Sequence, residues 1–383
     1  MEAVGLSVLR SSRVDRPMKI LLVGGGAGIS IKDVENGYYE ALVRAGADVK
    51  LHLLDYRIDN SYKYLVYAWE NFYQGKKTGY PGPTWNDAIY LASQSALEMA
   101  LKFDVDWVII VSAMYFHPDM IILMHRAGLH MAVLLTESPY MDLEQGRVVG
   151  LDIDGAWTTE LASVPVLKKS NSNVQYIRHA YDSTKHFPVL HEGNGEGDAG
   201  PDWLNNTIPS HDVVFVGTAF EERIETLEAV DWTGIDLGLY GNWELLDDES
   251  PLHDFVRGEY VSNTDVAKLY SKAKVGLNLY RDSELFGLGT THIKRGAALS
   301  MNPRAYELAA CKVPTISDWR LEQEETLGDS VMTFKEPVQL EYNIREMLKD
   351  KELRLDMAER AFCRIQGHTF DERVKQIFRT LEG

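Results

Sequence analysis

From Met18 onward, short apolar runs rich in β-formers alternate with longer stretches whose apolar residues recur at helical spacing. Lys19–Val23 (KILLV) reads as a buried strand, 33–45 as a helix ended by Gly46, and 48–54 (DVKLHLL) as the next strand. The pattern continues with a helix over 88–102, a strand over 107–112 (WVIIVS), a helix over 118–127 and strands over 131–135 and 155–159. An apolar piece at 174–177 then leads into RHAYDSTKHFP. Such alternation predicts parallel strands joined by crossover helices. Residues 191–210, HEGNGEGDAGPDWLNNTIPS, break it: Gly, Asn and acidic residues dominate and apolar periodicity vanishes, so a linker is expected there. Beyond it the alternation restarts, with strands over 212–216 (DVVFV), 236–240, near Tyr260, 275–279 and 313–317. Helices are expected over 221–230, 263–272, 304–310, 340–350 and 351–363. Two α/β units of similar size, joined by a polar linker, invite a ligand between them.

The length of 383 residues agrees with two domains at roughly 150 residues each. Hydrophobic residues at 45% and charged residues at 25% exclude a disordered, collagen-like or coiled-coil chain. Thirty-nine basic against 57 acidic side chains give a net charge of −18, which argues against non-specific binding to nucleic acid or to an anionic membrane. It leaves room for a local basic cleft around a small anion. Cys311 and Cys363 supply neither a disulfide framework nor zinc-ligand spacing, so a reducing, cytoplasmic setting is expected. The longest apolar run, 107–111, is a strand's length and falls far short of the ~18 residues needed to cross a bilayer. The opening MEAVGLSVLRSSRVDRP has a short apolar patch without a cleavage signal and reads as a leader to the first strand.

Several constellations carry chemistry. Gly24-Gly25-Gly26-Ala27-Gly28 follows the first strand, where glycines let backbone N–H groups approach a ligand; it fits neither a dinucleotide nor a P-loop fingerprint. It is either a tight structural turn or a ligand-lining loop, with Gly25 and Gly26 as candidates on the acceptor side. After the strand 212–216, Gly217 and Thr218 form a second small-residue turn. Arg223 in the following helix suits a phosphate, or else pairs with neighbouring glutamates in solvent. The densest group runs from Arg281 through His292, Lys294 and Arg295 to Ser300-Met301-Asn302-Pro303-Arg304. Four cations and a histidine within 24 residues of an acidic chain are suited to a diphosphate. Ser300 or Asn302 can cap a helix beginning at Pro303 or Arg304, and Glu307, one turn in, either accepts ribose hydroxyls or pairs with Arg304.

In the first half, Thr136-Glu137-Ser138-Pro139-Tyr140-Met141-Asp142 follows a strand, where an α/β protein keeps an acid or base. Glu137 is the first candidate, then Asp142 and His117; simple turn chemistry is the alternative. His179 and Asp182 precede the linker and would face the cleft. There is no HExxH, no paired-carboxylate metal motif and no GxSxG elbow, so metal-hydrolase and serine-hydrolase readings drop away.

The runs VGTAFEERIETL, LYGNW, VSNTDVAKLYSKAKVGLNLYR, NPRAYELAACKVPTISD and HTFDERV, in that order, resemble glycosyltransferases of the GT-B fold. The nearest resemblance is to the group that includes the spore maturation protein CgeB. It covers about 213 to 374; the first half matches in layout, in TESPY and in RHAYDSTKHFP. The resemblance implies an α/β protein of two Rossmann-like domains facing a cleft: an acceptor domain over 18–190, the linker, a nucleotide-sugar domain over 211–366, and a last helix over 367–383 returning to the first domain. It implies a UDP-linked sugar donor and no other cofactor. Gly217 and Thr218 would line the donor phosphates, Gly241 to Trp243 and Tyr260 to Ser262 would lie near the base, and Arg304 and Glu307 would sit on the donor, with Glu307 on the ribose. Many retaining members carry two glutamates with seven residues between them, and here Leu299 stands at the earlier position. The segment SELFGLGTTHIKRGAALSM is then expected to supply His292 and Lys294 in its place. The expected activity is metal-independent transfer of a sugar to a hydroxyl on a glycan, protein, small molecule or modified DNA base, the last disfavoured by the net charge. A sugar-nucleotide epimerase and a non-catalytic sugar-nucleotide or glycan-binding protein are the alternatives.

Overall fold

The structure is a computed structural model that describes residues 16–26, 29–73, 82–189, 210–258, 261–281 and 298–381. The leader, the linker up to residue 209, Ala27, Gly28, Tyr260, His292, Lys294 and Arg295 lie outside the described residues.

The first sheet is built from β1 (Lys19–Val23), β2 (Asp48–His52), β3 (Trp107–Val111), β4 (Met131–Leu135), β5 (Gly155–Thr158) and β6 (Val174–Tyr176), in the order β2-β1-β3-β4-β5-β6. The second holds β7 (Val213–Val216), β8 (Leu237–Tyr240), β9 (Val256–Gly258), β10 (Val275–Asn278), β11 (Thr315–Asp318) and β12 (Met332–Phe334), in the order β12-β11-β10-β7-β8-β9. All of these pairings are parallel. Helices cover both faces of such sheets, which is why β3 and β4 are apolar and buried throughout rather than alternating. In open parallel sheets ligands bind at the carboxyl edge where the strand order reverses. That point falls between β1 and β3 in the first sheet and between β7 and β10 in the second.

The helices used below are α1 (Ile29–Arg44), α2 (Leu54–Ala68), α3 (Trp85–Phe103), α4 (Pro118–Arg126), α5 (Asp142–Val149), α6 (Glu221–Glu228), α7 (Asn263–Lys272), α8 (Pro303–Ala310), α9 (Leu321–Thr326), α10 (Pro337–Lys349), α11 (Lys351–Ile365) and α12 (Phe370–Leu381). Four elements, α2, α5, α9 and β12, have no counterpart in the pattern reading. In α2 the buried Leu54 and Ile58 and the partly buried Leu65 do recur at helical spacing against Ala88, Ala92 and Ala96 of α3. Exposed tyrosines on its other face blur the contrast between apolar and polar positions. The other three are too short to establish a period.

The halves are joined by packing and by buried polar contacts. Phe370, Val374 and Ile377 of α12 lie in one core with Ile20, Leu22, Tyr38 and Trp107 of the first half. A Cβ at Gly37 would lie 2.3 Å from the Phe370 ring, so only glycine leaves α1 open to it. At the other contact, Glu160, just past β5, accepts from the backbone N–H groups of Leu299 (3.0 Å) and Ser300 (3.2 Å). Ser300 Oγ accepts from Leu161 N at 3.0 Å and lies 3.0 Å from Tyr176 Oη. Glu322 holds the next residue from the same half, accepting from Met301 N and Tyr306 Oη at 2.6 Å each, and pairs with Arg178 at 3.1 Å. The three residues leading into α8 are thus fixed by carboxylates from both halves.

Candidate active site

β7 ends in a turn whose Gly217 is dictated by its neighbours: a Cβ there would fall 2.2 Å from Arg304 Nη2. Gly217 N donates to Tyr240 O at 2.8 Å, and Gly241, at φ +114, packs against the Gly217 carbonyl. Asn302 caps α8 by accepting from Ala305 N at 3.2 Å, so Pro303 is the first helical residue; Ser300 is committed to the domain contact instead. The cap aims Arg304 back at β7, where its guanidinium lies 4.6 Å from the Phe215 ring centre and donates to Leu279 O at 3.4 Å.

Arg304 is one end of a stacked series. Phe215 also carries Arg223 at 5.5 Å; Arg223 lies 4.9 Å from Phe220, which carries Arg281 at 5.0 Å; and Arg281 lies 4.5 Å from Tyr140 of the first half. Each cation–aromatic contact contributes about 0.5–2 kcal/mol, enough to hold like charges close together before any anion arrives. Arg223 is buried, donates to Thr218 O at 2.8 Å, and its Nε has no hydrogen-bond partner among the described residues. Burial first, then repulsion from Arg304, presses its pKa below the ordinary guanidinium range. Arg223, Arg281 and Arg304 gather at the strand-order reversal, and guanidinium groups in this arrangement suit a diphosphate. Burial overturns the solvated reading of Arg223, while Glu222 still lies near enough to act on its charge.

Across the cleft, Glu137 Oε2 lies 3.3 Å from Arg281 Nη1, and Tyr140 Oη donates to the Arg281 carbonyl. Burial raises the pKa of Glu137 and Arg281 opposes the rise. Burial, followed by the charges of Glu137 and Glu144, raises the phenol pKa of Tyr115. Gly26, at φ +82, lets Tyr115 pack close, since a Cβ would meet the Tyr115 Cβ at 2.7 Å. Within the described part of the glycine turn after β1, Gly25 N donates to the buried Glu35 carboxylate at 3.3 Å, and Lys32 pairs with that carboxylate at 2.9 Å.

Other sequence candidates lie elsewhere. Asp142 is buried, accepts from Ser163 Oγ at 2.6 Å and begins α5, so it holds a turn in place and has no access to an acceptor. His117 caps α4, its Nδ1 accepting from Asp119 N at 3.2 Å, and stacks edge-on against Tyr90. His179 belongs to the α12 crossing, where Arg373 donates to its carbonyl; burial, then Arg373, lowers its imidazole pKa to about 3. Asp182 is likewise turned inward, bonded to Thr184 and Lys185. Glu307 meets Asp33 of α1 across the domains: burial lifts its pKa to about 7, opposed by Arg304, and burial followed by Glu307 lifts Asp33 to about 6.

Pattern reading misses Phe215, Phe220, Tyr140, Glu160 and Glu322. Phe215 looks like any strand-core residue, and only its place beside Gly217 at the strand end marks it. A separate open groove at the β12 edge, lined by Trp319, Phe334, Val338 and Tyr342, contains no arginine; charge, rather than concavity, locates the candidate site.

Residues 222–379 match a family described as glycosyl transferase-like. No curated protein matches the chain. Among solved structures, the chain is similar to sucrose-phosphate synthase from Thermosynechococcus elongatus, at 15% identity and TM-score 0.62, covering 95% of this chain and 99% of that one. It is similar to HepE from Anabaena in complex with UDP-glucose, at 12% identity and TM-score 0.57 over 95% and 100%. A putative UDP-N-acetylglucosamine 2-epimerase from Listeria monocytogenes gives 11% identity and TM-score 0.55 over 96% of each chain. Among the described residues no helix is long and apolar enough to cross a membrane. Residues 222–379, in the C-terminal half, carry the glycosyl transferase-like match, and the two parallel six-stranded sheets of the whole chain have the GT-B fold of these solved structures.

Proposed function

We propose that the donor is a UDP-linked sugar whose diphosphate lies on Arg223, Arg281 and Arg304, and that Glu137 is the base that activates the acceptor hydroxyl. The observation that carries this reading is the stacked arginine series at the β7–β10 reversal, meeting a single carboxylate from the other half. The UDP-glucose bound to HepE supports the choice of nucleotide. Glu307 takes the ribose hydroxyls. The first half, from residue 18, is the acceptor domain and the second the donor domain, and the motif order supports placing the chain with the CgeB-like group.

In the free protein Arg281 is paired with Glu137. An arriving diphosphate, with more charge, draws Arg281 away and leaves a buried carboxylate without its cation, so the pKa of Glu137 rises into the range useful for a base. Glu137 accepts the acceptor hydroxyl proton, the freed oxygen bonds to the anomeric carbon, and the carbon–phosphate oxygen bond breaks. Its electron pair leaves on the diphosphate, where the arginines stabilise the charge without needing a metal. Such a direct displacement inverts the anomeric centre. Titration of UDP by calorimetry tests the assignment: Arg304→Ala should weaken affinity about tenfold or more, as expected for charge-assisted hydrogen bonds of about 1.5–3 kcal/mol. Unchanged affinity would remove Arg304 from the donor site. Release of an epimerised nucleotide sugar with no acceptor present would move the protein to the epimerase class.

A further inference from the structure

Arg281 lies just past β10, and its main chain and its guanidinium are held in different ways. The main chain is pinned from both halves. Asp318, at the end of β11, accepts from Tyr280 N through both carboxylate oxygens, at 3.0 and 3.2 Å. The Arg281 carbonyl accepts from Tyr140 Oη of the first half and from Arg320 Nη2 of the second, the latter at 3.3 Å. A carbonyl oxygen has two lone pairs, and these two donors match them. Arg320 is buried and lies 4.7 Å from the centre of the Tyr280 ring, whose hydroxyl donates to Gln323 Oε1 at 2.9 Å.

The guanidinium is held more loosely. Its Nη1 lies 3.3 Å from Glu137 Oε2, longer than the roughly 2.7–2.9 Å of a strong charged pair. Its central carbon is 4.5 Å from the Tyr140 ring centre and 5.0 Å from that of Phe220, and Phe220 also carries Arg223. Attraction to a ring face needs no fixed hydrogen-bond direction and persists to about 6 Å from the ring centre. The two rings therefore form a track from Glu137 toward Arg223 along which a guanidinium keeps an aromatic partner.

Tyr140 takes part in both arrangements. A residue needed only for packing could be phenylalanine. Here the hydroxyl is committed to a main-chain carbonyl 141 residues away, while the ring faces the side chain of that same arginine.

We propose that Tyr140 is a positioning residue for donor binding: its hydroxyl, together with Arg320, fixes the Arg281 main chain as a pivot, and its ring carries the guanidinium as it passes from Glu137 to the diphosphate. The inference rests on the donor reading above and adds to it a contribution from the first half, made through Arg281.

UDP binding by the full chain tests this, read by calorimetry and, for weak binders, by the rise in thermal midpoint at millimolar UDP. The comparison takes the parent, Tyr140→Phe, Arg281→Met and the double variant. Tyr140→Phe should lower UDP affinity about threefold to tenfold, as loss of one hydrogen bond does, while its midpoint without ligand stays near the parent's. In the Arg281→Met background the same substitution should change affinity by less than about twofold, because the guanidinium it positions is gone. A general loss of packing would lower affinity equally in both backgrounds; that result, or no loss in either, overturns the proposal. Failure of the parent to bind UDP removes the donor reading and this inference with it, whereas UDP binding without coupling between the two substitutions removes this inference alone.

Discussion

Asp33 and Glu307 approach each other from opposite halves, and their environment determines what the charge between them does. Asp33 faces Glu307, His186 and Lys185, and Glu307 faces Arg304, Asp33, Tyr270 and Cys311. Burial dominates for both, raising Asp33 to about 6 and Glu307 to about 7. An acid whose folded pKa is raised holds its proton more tightly when folded, so its stabilising contribution is present at low pH and fades as pH rises through the folded value. The protein should lose stability between about pH 4 and 7 from this pair. Removing one charge makes the prediction specific: Asp33→Asn should raise the thermal midpoint at pH 8 and leave it nearly unchanged at pH 5, where Asp33 is already neutral. An equal shift at both values would show that Asp33 bears no buried charge. The same scale explains why some site residues could be read from sequence and others not. Arg304 and Glu307 declare themselves by charge in an acidic chain, whereas Phe215 and Phe220 look like core until the guanidiniums are seen on their faces.

At the scale of elements, α8 presents both of the proposed donor contacts, Arg304 in its first turn and Glu307 in its second. Local rules allowed either Ser300 or Asn302 to cap it. Contacts 139 residues away settle the choice, since Ser300 is taken by Leu161. Glu160 does comparable work through backbone N–H groups of Leu299 and Ser300, and pairing at that separation leaves no trace in a periodicity. Glu160→Gln replaces one accepting oxygen with a donor that faces N–H groups, costing about 1–3 kcal/mol. Because the strain falls on the entry to α8, UDP affinity should drop several-fold and Glu160→Asp should restore part of it. UDP affinity equal to the parent's would confine Glu160 to holding the halves together. The strands were the most legible elements, since parallel strands buried on both faces are continuous apolar runs. α2 was not, because its exposed tyrosines hide its buried face.

Across the whole molecule, a net charge of −18 surrounds a cleft that gathers three arginines. The acidic exterior disfavours polyanions at long range, and the cleft concentrates positive potential where a diphosphate fits. The two α/β sheets were legible from the alternation that restarts at β7, but how the halves meet depends on Arg281–Glu137, Glu160–Ser300 and Phe370 on Gly37, none of which is local in sequence. On the proposed reading, the diphosphate and Glu137 compete for Arg281. Calorimetric titration of UDP into the parent and into Glu137→Gln, with turnover measured on the same samples, tests it most directly. Glu137→Gln should bind UDP more tightly than the parent while sugar transfer is lost; weaker UDP binding, or transfer at the parental rate, would show that the diphosphate does not take Arg281 from a catalytic Glu137.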